Sequence, residues 1–426
     1  KSLFPQWVDR LFKVFAQKIV EKLNGTKEPL TYLHRTMLRK TFSPTLKWGS
    51  LSFSNTVVSA DVVAMDSSLP LKKRDSLRKA DGDIPKLGLK LYLNETTMNE
   101  LNILLATGGQ DQEILRKLFN DTNKVVSGVW ERLEFMFHQA LSTGLILITD
   151  EDNPGLGIRV DFGHPASNKY GVTTPWSDAG AKPIDDIDRI IEAARVNGDK
   201  LSYILMDRQT FNKFKANTQV KEQYAFYMNF VGTNIPPVQS VEKANEFLSA
   251  SHGVMIQLID RNVLVEKDGK RKSVKPWADN AVVFLTELTV GTLTYGRLAE
   301  ETFPAKQVDY AKVDDFILVS KYSTNDPIKE FTSAQALVLP VIENVDSIYI
   351  MNCEEATAGL DAQTEGDANY AYKTVNYTKA SVIAAINLAT GKTTAKTGNT
   401  DAKLAEYIDK LNEEQILVFE ANIIAA

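Results

Sequence analysis

The apolar positions of this chain change period several times, and each change marks an element. Over residues 5–23, Trp7, Val8, Leu11, Phe12, Phe15, Ile19, Val20 and Leu23 recur at three and four spacing before Asn24-Gly25. That pattern predicts an amphipathic helix. Its stripe is too apolar for an idle tail and requires a docking face, either on its own body or on another subunit. Residues 49–84 read as an extended excursion. Strand signals at Leu51, Phe53, Val57, Val58, Val62 and Val63 lead to Ser67-Ser68-Leu69-Pro70, then to the basic residues Lys72, Lys73, Arg74, Arg78 and Lys79, and to a turn at Asp81-Gly82-Asp83. Residues 85–93 alternate, with Leu87, Leu89, Leu91 and Leu93 on one face and Lys86, Gly88, Lys90 and Tyr92 on the other, which is the signature of a half-buried strand. Thr97 and Glu100 form a capping box for a short helix to about Leu105, and Gly108-Gly109 breaks it.

From Asp111 to Thr143, Ile114, Leu115, Leu118, Val125, Val126, Val129, Leu133, Met136, Phe137, Ala140 and Leu141 keep helical phase, and Gly144 terminates the run. At 1.5 Å per residue this helix is roughly 50 Å long, several times the usual length. It is a spine more than a layer of a small domain. Strands are predicted at 145–148 and 157–162. From Pro183 helices and strands alternate. Pro183-Ile184-Asp185-Asp186 opens a helix with Ile187, Ile190, Ile191 and Ala194 inward and Gly198 closing it. Strands follow at 202–206, 254–259 and 281–285. Asp207 and Ser240 cap helices, and 263–272 forms a hairpin on Asp268-Gly269. Strand-like runs return at 316–319 and 348–350, with Ala334–Leu339 between. Residues 352–377 are polar and loop-like, and two helical segments follow at 378–389 and 401–421.

Length and composition restrict the class. The 426 residues allow two or three domains, and 43% hydrophobic with 24% charged residues is ordinary for a folded protein. No run of about 18 apolar residues predicts a membrane span, and Lys1 to Lys22 does not read as a signal peptide. The single cysteine, Cys353, excludes an intrachain disulfide and a cysteine-based zinc site, and a reducing, cytosolic setting fits. Charge is uneven. Residues 1–80 hold fifteen Lys/Arg against six Asp/Glu, a net +9, which leaves −14 on the rest. A basic arm on an acidic body suits contact with polyanions or docking onto neighbouring copies; a solvated tail is the plainer alternative.

Candidate chemistry is thin. Gly155-Leu156-Gly157 precedes a strand, not a helix, and no phosphate-binding GxxxxGK sequence occurs. Asp161-Phe162-Gly163-His164 resembles a kinase phrase, but every other kinase element is missing. Asp185 and Asp186 at a helix start complement its dipole. The four histidines show no metal-ligand spacing. No catalytic residue, cofactor or metal is therefore expected. Trp130, with Glu131, Arg132 and Glu134, reads as core packing with a charged outer face, or as charges pairing with a neighbouring copy.

Several phrases, in order, resemble the lambda-type major capsid protein family of tailed phages. They are Arg132-Leu133-Glu134 with Gln139, Leu141 and Gly144 at the helix end, Val160-Asp161-Phe162-Gly163, Trp176 before the helix from Pro183, and Gly198 before a strand. After the Asp207-capped helix come Gly291 with Tyr295-Gly296, Asn325-Asp326-Pro327 and Leu339-Pro340-Val341. The resemblance covers residues 84–351. It implies an α+β Hong Kong 97-type capsid fold, with an N-terminal arm (1–50), an extended loop over an adjacent subunit (51–84), a peripheral domain (85–179 and 310–351, with the spine helix 111–143) and an axial domain (180–309). The residues 352–426 form a helical C-terminal appendage beyond the family core. The implied function is non-enzymatic: self-assembly through pentamers and hexamers into an icosahedral shell around double-stranded DNA, within a virion assembled in the host cytoplasm. Portal, scaffold and decoration proteins are the implied partners, DNA contact is non-specific, and no membrane is involved. Subunit-interface candidates are Trp7, Phe15, Lys72, Lys73, Arg74, Arg132, Glu134, Lys270 and Arg271. Deleting residues 1–24 is expected to leave a folded subunit that assembles poorly. The alternatives are a bacterial cargo-encapsulating shell of the same fold and an α/β enzyme with a pocket within 180–309.

Overall fold

In the computed structural model the long apolar phase becomes one continuous rod, Asp111–Thr143. The structure describes residues 1–24, 32–52, 78–106, 111–148, 157–232, 237–238, 240–267, 269–356, 370–372, 375–377, 379–390, 401–412, 415–416 and 419. They fall into two units, Lys1–Thr357 and Ala358–Ala426.

In the first unit the rod buries Leu118, Phe119, Val125, Val126, Val129, Trp130, Leu133, Met136, Phe137, Ala140 and Leu141. It packs on a strand of matching reach, Ile328–Ile342. Fifteen residues at ~3.3 Å each give about 50 Å, the length of the rod. One edge of this strand pairs antiparallel with Ile317–Asn325 through the turn at Asp326-Pro327. Its other edge is long enough for two partners end to end, Lys86–Leu93 along residues 330–337 and Gly291–Gly296 along 337–342. Asp309–Val313 and Leu38–Phe42 complete the six-stranded sheet, the latter pairing parallel with Gly291–Gly296. Close approach is a requirement here. A Cβ on Gly291 would lie 2.0 Å from the Val341 carbonyl oxygen, and one on Gly128 would lie 2.6 Å from the Leu89 side chain where that strand meets the rod.

A five-stranded sheet carries the second core of this unit. Its order is Lys169–Val172, Tyr349–Ala356, Ala281–Leu285, Tyr203–Asp207, Met255–Ile259. The helices Pro183–Val196, Arg208–Ala216, Thr218–Tyr227 and Val241–His252 bury Ile184, Ile187, Ile190, Phe211, Phe214, Val220 and Phe247 in that core. The expected caps form: Asp207 accepts from the Thr210 N–H at 2.9 Å and Ser240 from the Lys243 N–H at 3.4 Å. The strands Val263–Lys267 and Lys270–Val274 make the expected hairpin.

Several local expectations differ from the structure. The helix Glu95–Ala106 starts earlier than a Thr97 capping box allows, because Asn94 accepts from both the Thr97 N–H (3.0 Å) and its hydroxyl (2.8 Å). Asp81-Gly82-Asp83 is not a turn: it lies in the strand Arg78–Asp83, paired with Lys47–Ser52, and the Trp48 indole covers Gly82. Residues 352–356, expected as polar loop, continue the strand Tyr349–Ala356, which belongs to the first unit. Gly291–Gly296, counted with the axial segment, sits in the six-stranded sheet.

In the second unit a short hairpin, Tyr370–Tyr372 with Val375–Tyr377, precedes the helices Lys379–Thr390 and Asp401–Asp409. Val382, Ala385, Ile386, Leu404, Ile408, Leu411 and Phe419 form its core. The second helix is shorter than the expected 401–421, yet Leu411 and Phe419 still turn inward.

Candidate functional site

The residues expected to bind neighbours divide by where the fold puts them. The arm helix, Pro5–Asn24, docks on its own body. Phe4, Val8, Phe12 and Ala16 enter the first core, with Trp7, Leu11 and Phe15 half-buried beside them. Phe15 stacks on Phe119 of the rod at 5.0 Å between ring centroids, and Phe12 stacks at 6.3 Å. Ahead of the helix, the Leu3 N–H donates to Glu330 at 2.8 Å, and the Ser2 hydroxyl donates to the same carboxylate. Glu330 is fully buried and faces Lys321 at 3.5 Å. The Lys321 ammonium also reaches the Leu118 carbonyl (3.2 Å) and the Thr332 hydroxyl (3.0 Å). Burial pushes its pKa down, against the attraction of Glu330. The N-terminus thus closes over a buried ion pair.

The segment after the arm is tied to the rod by a polar knot. Glu134, expected on an outer face, is fully buried. It accepts the Leu33 N–H (2.8 Å), the His34 N–H (3.1 Å) and the His34 Nδ1 (2.6 Å), with His138 Nε2 at 3.0 Å. Burial alone would raise its pKa, but the adjacent His138 and His34 imidazoles outweigh burial and hold the carboxyl far below its usual range. Burial lowers the His34 pKa despite Glu134, so the imidazole is a neutral donor to a carboxylate. Around this knot Trp130 Nε1 donates to Asp314 (3.0 Å), Arg35 lies 5.1 Å from the Trp130 ring, and Lys40 pairs with Asp314 (2.7 Å) and Asp315 (2.9 Å). The Tyr32 hydroxyl donates to Glu131, which pairs with Arg261. Three distant stretches, 32–40, 130–138 and 314–315, meet here. The sequence reading missed the knot because it is non-local. Its available signal was two histidines and an acid with no exposed role.

The other candidates lie at the surface or outside the described residues. The half-buried Arg132 guanidinium covers the Phe135 ring at 5.5 Å. Lys270 and Arg271 are exposed on the hairpin, where Arg271 pairs across the strands with Glu266 at 2.8 Å. Lys72, Lys73 and Arg74 lie outside the described residues.

The residues weighed for enzymatic chemistry have structural roles. Asp186 accepts from Trp176 Nε1 at 3.0 Å, and Asp185 takes the Gln219 amide. Asp161 caps its own turn through the Gly163 N–H at 2.9 Å. Cys353 is buried in a strand, and burial pushes its thiol pKa up to about 12. Among the described residues no group of His, Cys, Asp and Glu could hold a metal ion, and no helix is long and apolar enough to cross a membrane.

A sequence model of the family described as phage major capsid protein E matches residues 24–352. The search of curated proteins finds no match. Among solved structures, a putative capsid protein of an E. coli CFT073 prophage is 14% identical, with 79% of this chain and 97% of that one covered at a TM-score of 0.48. The cyanophage A-1(L) capsid is 10% identical, covering 78% and 96% at 0.43. The SrpI encapsulin complex of Synechococcus elongatus PCC 7942 is 10% identical, covering 81% and 98% at 0.36. With most of its first unit matched by the family, this chain belongs to the phage major capsid protein E family, and its role is that of a self-assembling subunit of a viral capsid shell.

Proposed function

We propose that many copies of this chain close through pentamers and hexamers into an icosahedral shell around double-stranded DNA, by heterologous contacts that close into rings. The family match over residues 24–352 carries this reading. Within it, residues 85–179 and 310–351, with the strand Gly291–Gly296, act as the peripheral domain, the remainder of 180–309 as the axial domain and 51–84 as a loop laid over an adjacent subunit. The appendage, residues 358–426, fastens subunits or receives an accessory protein. The net +9 of residues 1–80 supplies non-specific contact with packaged DNA or docking to an acidic neighbour. Portal and scaffold proteins direct assembly, which takes place in the host cytoplasm, and the shell performs no catalysis.

The test is light-scattering mass on a sizing column with electron microscopy of the same fractions, from cells expressing the chain with and without its neighbouring phage genes. Closed particles or five- and six-fold rings are expected. A monomer under both conditions overturns the proposal. Particles filled with protein cargo and lacking DNA, when the packaging genes are present, favour the cargo-shell alternative.

A further inference from the structure

The helix Thr218–Tyr227 sends Val220 and Tyr224 into the second core and ends on the outside in an apolar run interrupted only by Asn229. Phe226 is 86% exposed, Tyr227 39%, Met228 50%, Phe230 42% and Val231 97%. No charged residue occurs between 223 and 232.

This run is not a frayed end. The Phe230 N–H bonds the Ala225 carbonyl (2.9 Å) and the Asn229 N–H bonds the Phe226 carbonyl (3.0 Å), with Asn229 in the left-handed region at φ 51°. That pattern is a Schellman closure, which fixes the directions of the residues around it. Gly232 completes the arrangement. A Cβ there would stand 2.8 Å from the Phe230 ring, so the ring lies over bare backbone. The helix end therefore holds large apolar side chains to solvent in a set geometry.

We infer that Phe226–Val231 is a contact surface for a second copy of this chain. The inference rests on the shell-subunit reading and names the residues that would make one of its contacts. Scaled from aromatic side chains of 150–250 Å² each, the exposed run offers on the order of 500–600 Å². That is the top of the range for apolar patches on monomers and most of the ~800 Å² that one partner contributes to a standard interface. The absence of charge fits a protein surface and not nucleic acid, whose binding is dominated by phosphate contacts. A rigid presentation lowers the ordering cost of association. A shell subunit meets copies of itself as its most abundant neighbours.

The test uses the full chain with the double substitution Phe226→Ser and Val231→Ser, beside wild type under conditions that give particles. Both side chains lie largely in water, so the variant is expected to melt within about 1 °C of wild type. It is expected to remain as unassembled subunits. In wild-type particles, a benzophenone side chain introduced at position 231 is expected to crosslink to another copy, giving a dimer-mass band with peptides from two chains. A variant that assembles with wild-type yield and shape overturns the inference, as do crosslinks confined to one chain or directed to a different protein. Wild-type particles in the same preparation test the shell reading separately from the patch.

Discussion

Replacing Glu134 by Gln tests whether the buried knot holds the post-arm segment to the rod. The carboxylate accepts two backbone N–H groups through different oxygens, Leu33 through Oε1 and His34 through Oε2. An amide keeps only one acceptor oxygen. Whichever way it turns, at least one buried N–H faces an NH₂ group and loses its partner, at a cost of about 1–3 kcal/mol. The surviving bonds become neutral where they were charge-assisted, and each weakens by about 1 kcal/mol. The total, roughly 3–5 kcal/mol, agrees with the usual cost of breaking a buried ionic contact. At ~2.1 cal/mol/K per residue, a unit the length of Lys1–Thr357 unfolds with an entropy of about 0.75 kcal/mol/K. Glu134→Gln should therefore lower the melting temperature of the unassembled subunit by about 4–7 °C. Glu192→Gln is the control, because Glu192 pairs with Arg195 on an exposed helix face, where such a pair contributes little to stability. Thermal unfolding followed by circular dichroism decides. A drop below about 1 °C for Glu134→Gln, or one no larger than for Glu192→Gln, refutes the reasoning.

Three further predictions concern the same unit. Because Phe12 is buried against Phe119, Phe12→Ala should destabilise the subunit by about 3–5 kcal/mol, whereas Val14→Ser on the exposed side of the same helix should do little; equal effects in urea unfolding would show that the helix does not dock. By the same packing, deleting residues 1–24 should weaken folding as well as assembly, where the sequence alone leads to the expectation of a folded truncated subunit. Stability should also fall with acid. Burial, with Lys169 nearby, lowers the His164 pKa from 6.5 to about 4. The unfolded chain therefore binds a proton that the folded one refuses, and this contribution is fully present above pH 6.5 and lost as pH falls to about 4. It amounts to roughly 3 kcal/mol, and burial moves His34 in the same direction. His164→Gln should flatten the decline between pH 6.5 and 4, and a wild-type stability unchanged over that range would contradict the assignment.

Elements set by short-range forces are legible in the sequence, and those set by long-range contacts are not. The rod at 111–143, the caps at Asp207 and Ser240, and the hairpin on Asp268-Gly269 are set by periodicity, side-chain-to-backbone bonds and turn geometry within a few residues. All were legible. The strand Ile328–Ile342 was legible over 334–339 but not at its start, because its first inward positions are Glu330 and Thr332, followed by Ala334, Ala336 and Val338. The two alanines leave space for the rod, and Glu330 is inward only because Lys321 and Ser2 lie opposite it. The strand Leu38–Phe42 was missed for a related reason: four of its five side chains face out, and backbone pairing to Gly291–Gly296 holds it in place.

Thus the amino-acid sequence by itself determined where most helices and turns form, the α+β class, the asymmetric charge and, through an ordered set of short phrases, the capsid family. Tertiary structure alone decided which faces those elements use. It turned Glu134 inward, laid the arm helix on its own body, left Phe226–Val231 in water and ran Tyr349–Ala356 into the second sheet. The physical reason is that burial and pairing are contacts between residues about 65 to 330 positions apart. No local period encodes such contacts, because each side chain's environment exists only once its distant partner is in place.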